Sequence, residues 1–253
     1  MSMSARPDFA LSAAEFDLVH DALGLGRPPF PLEVPSRGAT MEERAELADE
    51  AYRALSERGL ADGRRLDPGL EQLLRLLTEH DTSVDAVGHL HRPVRALAAA
   101  DRNTGVLAEV AADEVSLTEI RPTALAMSIV GVLPPGEPGQ LRGVSMPRDT
   151  LTRALAEDDE DPFGGDLDEE VALTRAGLPA HDAATFTELV NSRCAGGQFG
   201  VSHRSMRAST LVNWFDTNQG RYLMTSEGSW LSITPADNRR IEHRLADVLS
   251  AVA

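Results

Sequence analysis

A short pattern occurs twice in this chain at nearly the same distance from similar flanking segments, and that repeat limits the fold more than any composition figure does. "ADRNTGVL" (100–107) returns as "FDTNQGRYL" (215–223), sharing Asp-x-Asn-x-Gly at Asp101, Asn103 and Gly105 and again at Asp216, Asn218 and Gly220. Each copy is followed by a strand pattern, a turn, a second strand pattern ("VSLTEI", "LSITPA") and a helical pattern. Leu125, Ile129, Val132 and Leu133 of the first helix match Ile241, Leu245, Val248 and Leu249 of the second. Upstream, "LSERGL" (55–60) pairs with "LTRAGL" (173–178). Each precedes a helix, with Leu70, Leu73, Leu76 and Leu77 in one and Ala183, Phe186, Leu189 and Val190 in the other as the buried stripe. Matching elements in matching order are the signature of an internal duplication. They predict an α+β fold with a quasi-twofold repeat, a central antiparallel sheet and flanking helical bundles. Residues 1–253 are expected to form one domain, with half-repeats at roughly 40–133 and 146–250.

The repeat also bears on what the loop "FDTNQGRYL" does. Asp216 as an acid and Arg221 as an anion clamp would make it a reaction site. A loop used twice between alternating strands is more simply a hairpin turn, in which Asp and Asn hydrogen-bond their own backbone and Gly takes a positive φ.

Local signals place the other elements. Ser12 and Glu15 form a capping box ahead of Phe16, Val19 and Leu23, after a short strand. Thr40 caps a helix over 40–58 that stops at Gly59, and Asp67 with Pro68 opens another. "RPPFPLEVPSRG" is too rich in proline for a helix. Strands fill 82–121 and helices are expected over 121–134, 148–157, 168–176 and 180–193. Three C-terminal strands and a helix over 236–251 complete the pattern. The acidic run 157–168 is expected to be a mobile surface loop, because it has little to bury.

Charge and composition exclude several functions. With 40 acidic and 24 basic residues the net charge is −16, which opposes a phosphate backbone, and Arg64-Arg65 and Arg239-Arg240 are only isolated pairs. Nucleic acid is therefore not an expected partner. No apolar run reaches the length of a membrane span, so no membrane insertion is expected. "MSMSARPDF" lacks a signal-peptide core and Cys194 is the single cysteine, which together point to the cytoplasm.

Candidate chemical sites are weak. Asp216, Asn218 and Glu227 have the spacing of part of a calcium loop, but Arg221 stands where that loop needs glycine. His89 and His91 could share a strand face, yet no third ligand lies near in sequence. Asp158–Asp161 lacks the apolar setting that tunes acid pairs. Cys194 in "RCAGGQFG" has no motif of a nucleophile, and Gly196, Gly197 and Gly200 have no Gly-Lys-Ser/Thr after them; a covered thiol beside a tight turn is the simpler expectation. Trp214 and Trp230 suit core or interface positions. No catalytic, cofactor or metal residue is assigned.

Taken together, "FALSAAEFDLV", "RGLADGRRLDPGLEQLLRLL", "GQFGVSHR", "DTNQGRYL" and "ITPADNRRIEHRLADVL" resemble the EspG family, cytosolic chaperones of type VII (ESX) secretion in actinobacteria. The resemblance spans nearly the whole chain, and "GQFGV" and "DTNQGRYL" are its most specific parts. It implies a non-enzymatic protein that binds the helical tip of the PPE subunit in a PE–PPE-like heterodimer and keeps it soluble for export, as a monomer or weak homodimer. It carries no contact residue over to this chain, though it points to the C-terminal half, around the sheet and the 236–251 helix. The competing expectation is a small-molecule enzyme with Asp216, Arg221 or Cys194 in a cleft between the halves.

Overall fold

The computed structural model describes residues 7–159 and 169–252. The expected acidic loop falls almost wholly outside them, as do the side chains of Asp158–Asp161.

The chain begins with β1 (Phe9–Ser12), and Ser12 is also the N-cap of α1 (Ala13–Ala22). Its hydroxyl accepts the Glu15 N–H at 3.1 Å while the Glu15 carboxylate accepts the Ser12 N–H at 2.7 Å, closing the capping box. Thr40 caps α2 (Met41–Glu57), which ends before Gly59 at φ 73°. A small hairpin of β2 (Ala61–Asp62) and β3 (Arg65–Leu66) leads to α3 (Pro68–Glu79), where Asp67 accepts the Gly69 and Leu70 N–H groups. A meander follows, β4 (Thr82–His89), β5 (Pro93–Ala100), β6 (Gly105–Ala111) and β7 (Glu114–Ile120), and then α4 (Leu125–Val130). Helix α4 is shorter than the 121–134 expectation: Pro122 starts a 3-10 turn, and the helix is over by Gly131.

The second half starts with β8 (Val144–Pro147), α5 (Arg148–Asp159), α6 (Glu169–Arg175) and α7 (Ala180–Asn191). Four strands come next, not three: β9 (Arg193–His203), β10 (Met206–Thr217), β11 (Gly220–Glu227) and β12 (Trp230–Pro235). The extra one, β9, contains the glycine-rich "RCAGGQFG" expected to be a turn. Helix α8 (Asn238–Val252) ends the described chain.

Among the described residues the main sheet has ten strands in the order β1-β7-β6-β5-β4-β9-β10-β11-β12-β8, every neighbouring pair antiparallel. The order is a palindrome about the β4/β9 seam, where Val84 faces Val201 and Ala86 faces Phe199. The fold is thus α+β with quasi-twofold symmetry. Both Asp-x-Asn-x-Gly segments lie at the equivalent hairpin, β5–β6 in one half and β10–β11 in the other. Their details differ. Asp101 accepts the Asn103 and Thr104 N–H groups, as an Asx turn should, but Asp216 does not bond its own turn. Gly220 has φ 125°, whereas Gly105 needs no positive φ; a Cβ there would come within 2.9 Å of the Ile120 side chain.

The palindrome decides which surfaces are covered. One face carries Val84, Ala98, Phe199, Val201 and Trp214 against α4 and α8, which also pack on each other. Burying Phe199 completely contributes on the order of 2–3 kcal/mol. On the opposite face, α3 and α1 cover β5–β7 through Leu70, Leu74, Leu77 and Phe16. Helices α5 to α7 cover β8, β11 and β12 through Leu173, Phe186 and Leu189. Val190, expected on that buried stripe, is 45% exposed instead. Between these two bundles, no helix of the described residues lies over the middle of the sheet.

Candidate functional site

The uncovered strip is a groove of about 520 Å³ on β4, β9, β10 and β11. Strand alternation builds its floor. Register sets His89, Gly196 and Phe215 in one row across the sheet, and Val87, Gln198, Asn213 and Met224 in the next. Arg193 and Cys194 line one end. Gly196 supplies floor with no side chain above it. Gly88 and Gly197 are required by the seam itself: a Cβ on Gly197 would lie 2.5 Å from the Val87 carbonyl, and one on Gly88 2.7 Å from the Gly196 carbonyl.

On the N-terminal side the proline-rich loop approaches. Arg95, cross-strand from Val87, donates Nε to the Pro31 carbonyl at 2.9 Å and its Nη2 to the Glu33 carbonyl. The neighbouring Phe30 is 52% exposed. Sequence reading missed this anchor, because the two partners are more than sixty residues apart.

Further along the strip, Asp85 is buried under Arg207, with contacts of 2.7 and 3.1 Å across the intervening β9. The guanidinium occupies the space a side chain on residue 200 would fill, since a Cβ on Gly200 would be 1.9 Å from Nη2. Its charge is held in place by Asp85, which raises the Arg207 pKa. This explains "GQFGV": Gly197 lets backbones meet, Gln198 paves the groove, Phe199 and Val201 fill the core, and Gly200 admits the ion pair.

The second specific segment, "DTNQGRYL", is structural too. Arg221 is 1% exposed and grips Asp216 with two bonds of 2.7 and 2.9 Å. It also donates to the Pro134 carbonyl at 3.0 Å and to Asn238 Oδ1, and lies over the Trp214 ring at 5.1 Å from its centroid. Every nitrogen of the guanidinium therefore has a partner, and nothing is left to clamp an anion. Tyr222 is buried, and its hydroxyl accepts the Leu141 N–H at 2.9 Å.

The remaining candidates are not brought together. Cys194 is exposed, on a strand instead of beside a turn, and donates to the Asp216 carbonyl at 3.4 Å; no imidazole bonds it among the described residues. His89 ends β4 while His91 lies in the hairpin beyond it, so the two do not share a strand. The described residues hold no group of three or more His, Cys, Asp or Glu suited to a metal ion. The Asp216–Arg221 pair closes the calcium-like spacing. Trp214 is core, and Trp230, cross-strand from Glu227 and Pro147, is 52% exposed. No helix of the described residues is long and apolar enough to cross a membrane.

Helix α8 was a candidate binding element, but Ile241, Leu245 and Val248 are spent on the sheet, leaving mainly charged and polar residues outside. In the groove, Val87, Gln198, Asn213 and Met224 stay partly exposed.

Comparison with known proteins agrees with this architecture. No curated protein matches the chain. Among solved structures, a chain from the structure of the Mycobacterium tuberculosis type VII secretion system chaperone EspG5 in complex with the PE25–PPE41 dimer superposes with a TM-score of 0.71. The match covers 97% of this chain and 96% of that one, at 15% identity, and establishes a common fold. The EspG family model matches residues 12–247, so this chain belongs to the EspG family.

Proposed function

We propose that this protein is a cytoplasmic, non-enzymatic chaperone of type VII secretion that binds the helical tip of the PPE-type subunit in a PE–PPE-like dimer and keeps it soluble for export. The observation that carries the reading is the open strip between two helical bundles in a fold shared with a chaperone solved together with such a dimer. A helical hairpin end is about 20 Å across, the width of two packed helices, and suits a groove flanked by bundles. The contact would bury something like 1,000–2,000 Å² in total.

The groove floor mixes Val87, Phe215 and Met224 with side-chain amides, which suits a reversible chaperone contact better than a permanent core. An enzyme would need an acid, base or nucleophile held in position. Here Asp216 and Arg221 neutralise each other, and among the described residues no base is hydrogen-bonded to Cys194.

Co-expression with the PE–PPE-like dimers of the encoding genome, followed by gel filtration, tests the proposal. A complex that survives ~1 M salt is expected, because apolar burial is only weakly screened at a Debye length of about 3 Å. Failure of every such dimer to bind, or a complex dissolved by salt alone, would remove the basis for this mechanism.

A further inference from the structure

The groove differs in charge from the rest of the molecule. The chain carries 40 acidic residues against 24 arginines, yet among the described residues no Asp or Glu lines the groove. Arg193 and His89 do line it, at the same end. Arg193 is exposed and its side chain makes no ion pair or hydrogen bond among the described residues, unlike Arg44, Arg207 and Arg221, which are bound to carboxylates. The nearest acid along β10, Asp216, has both oxygens on Arg221. An unneutralised cation at the mouth of a site in a protein of charge −16 is where a negative group on a partner gains most.

We propose that the partner's tip carries a carboxylate in its hairpin loop, flanked by apolar side chains, and that Arg193 pairs with it. This rests on the groove being the docking face for the PPE-type tip. The apolar neighbours cover the part-exposed Val87 and Met224, while the carboxylate reaches the Arg193 end of the strip. Arg193 then selects among helical tips of similar apolar content: a tip with an acidic loop is attracted, and a basic one is repelled by the same group.

The test is a titration of the PE–PPE-like dimer that forms a stable complex in co-expression. It is made into the wild-type chain and into Arg193→Glu, Arg193→Gln and Met224→Asp, each confirmed folded by circular dichroism. Arg193→Glu is expected to weaken binding about tenfold at ~0.15 M salt and about twofold at ~1 M, with Arg193→Gln in between. Changing the tip carboxylate of the partner to Arg should restore binding to Arg193→Glu. Met224→Asp should weaken binding at both salt concentrations, because its carboxylate is desolvated without a partner. If Arg193→Glu binds like wild type while Met224→Asp does not, the acidic tip is refuted and the docking face stands. If Met224→Asp binds like wild type, or no dimer binds at all, the docking face itself fails and this inference with it.

Discussion

Replacing Arg221 with Met asks whether the repeated loop is a strut or a reaction site. Methionine keeps much of the volume and removes the charge. Asp216 then loses both of its guanidinium bonds while only 21% exposed, so water reaches it poorly. The Pro134 carbonyl and Asn238 Oδ1 each lose a donor, and the cation over Trp214 disappears. Removing one partner of a buried ion pair costs about 3–5 kcal/mol, chiefly because the other charge stays behind. For a domain of this size each kcal/mol moves Tm by about 2–4 °C, so a fall of roughly 6–20 °C is expected. Adding Asp216→Asn should recover part of the loss, since no bare carboxylate remains. Arg64→Ala is the control. Its pair with Asp49 is 58% exposed on both sides and should matter by about 0.5 kcal/mol or less. Urea denaturation followed by circular dichroism measures all four proteins. A loss under about 1 kcal/mol for Arg221→Met would refute the strut and return Arg221 to the list of groups free for chemistry.

Gly200→Ala should cost about 1–3 kcal/mol, because the new methyl displaces the Arg207 guanidinium and leaves Asp85 buried and unpaired; Asp85→Asn in the same chain should relieve much of this, and additive losses would contradict the explanation. His20 is fully buried, with Nδ1 at the Gly26 carbonyl and Nε2 at the Thr78 hydroxyl, and burial lowers its pKa despite the opposing pull of Asp17 and Asp21. The unfolded chain therefore takes up this proton first. Its contribution to stability is complete above the unfolded value near 6.5 and declines as pH falls below it, by at most about 1.4 kcal/mol per unit. An NMR titration that puts His20 at or above the free value would refute this. We place the half-repeats on the 40–133 and 146–250 spans extended at their N-terminal ends to take in β1 and β8, which occupy equivalent outer positions; superposing the halves should align both edge strands and both Asp-x-Asn-x-Gly hairpins, and misaligned edges would limit the repeat to the shorter spans.

How much could be read from sequence depended on the distance between cause and effect. Ser12 with Glu15, Thr40 and Asp67 act within three residues, and the helices start where those residues indicate. The duplicated hairpins were legible because each copy served as a check on the other. Strand β9 was not. Gly196, Gly197 and Gly200 are usual turn residues, and only the neighbouring strands explain them: the Val87 carbonyl beside one and the Arg207 guanidinium in the space above another. Arg221 was misleading for a similar reason, since Pro134 and Asn238 are brought to it by the fold. The groove has no motif at all. It exists where two bundles stop short of the β4/β9 seam, a property of the whole palindrome and not of any segment.

Cys194 is the single cysteine, is exposed, and lies at the end of the groove, so its reactivity reports directly on whether the groove is the docking face. The measurement is the rate of its reaction with a thiol reagent, with and without a saturating PE–PPE-like dimer shown by gel filtration to be fully bound. Docking in the groove predicts a rate about tenfold slower or more in the complex, because a covered thiol is out of reach of the reagent. A complete complex in which Cys194 reacts at the free rate would contradict the account.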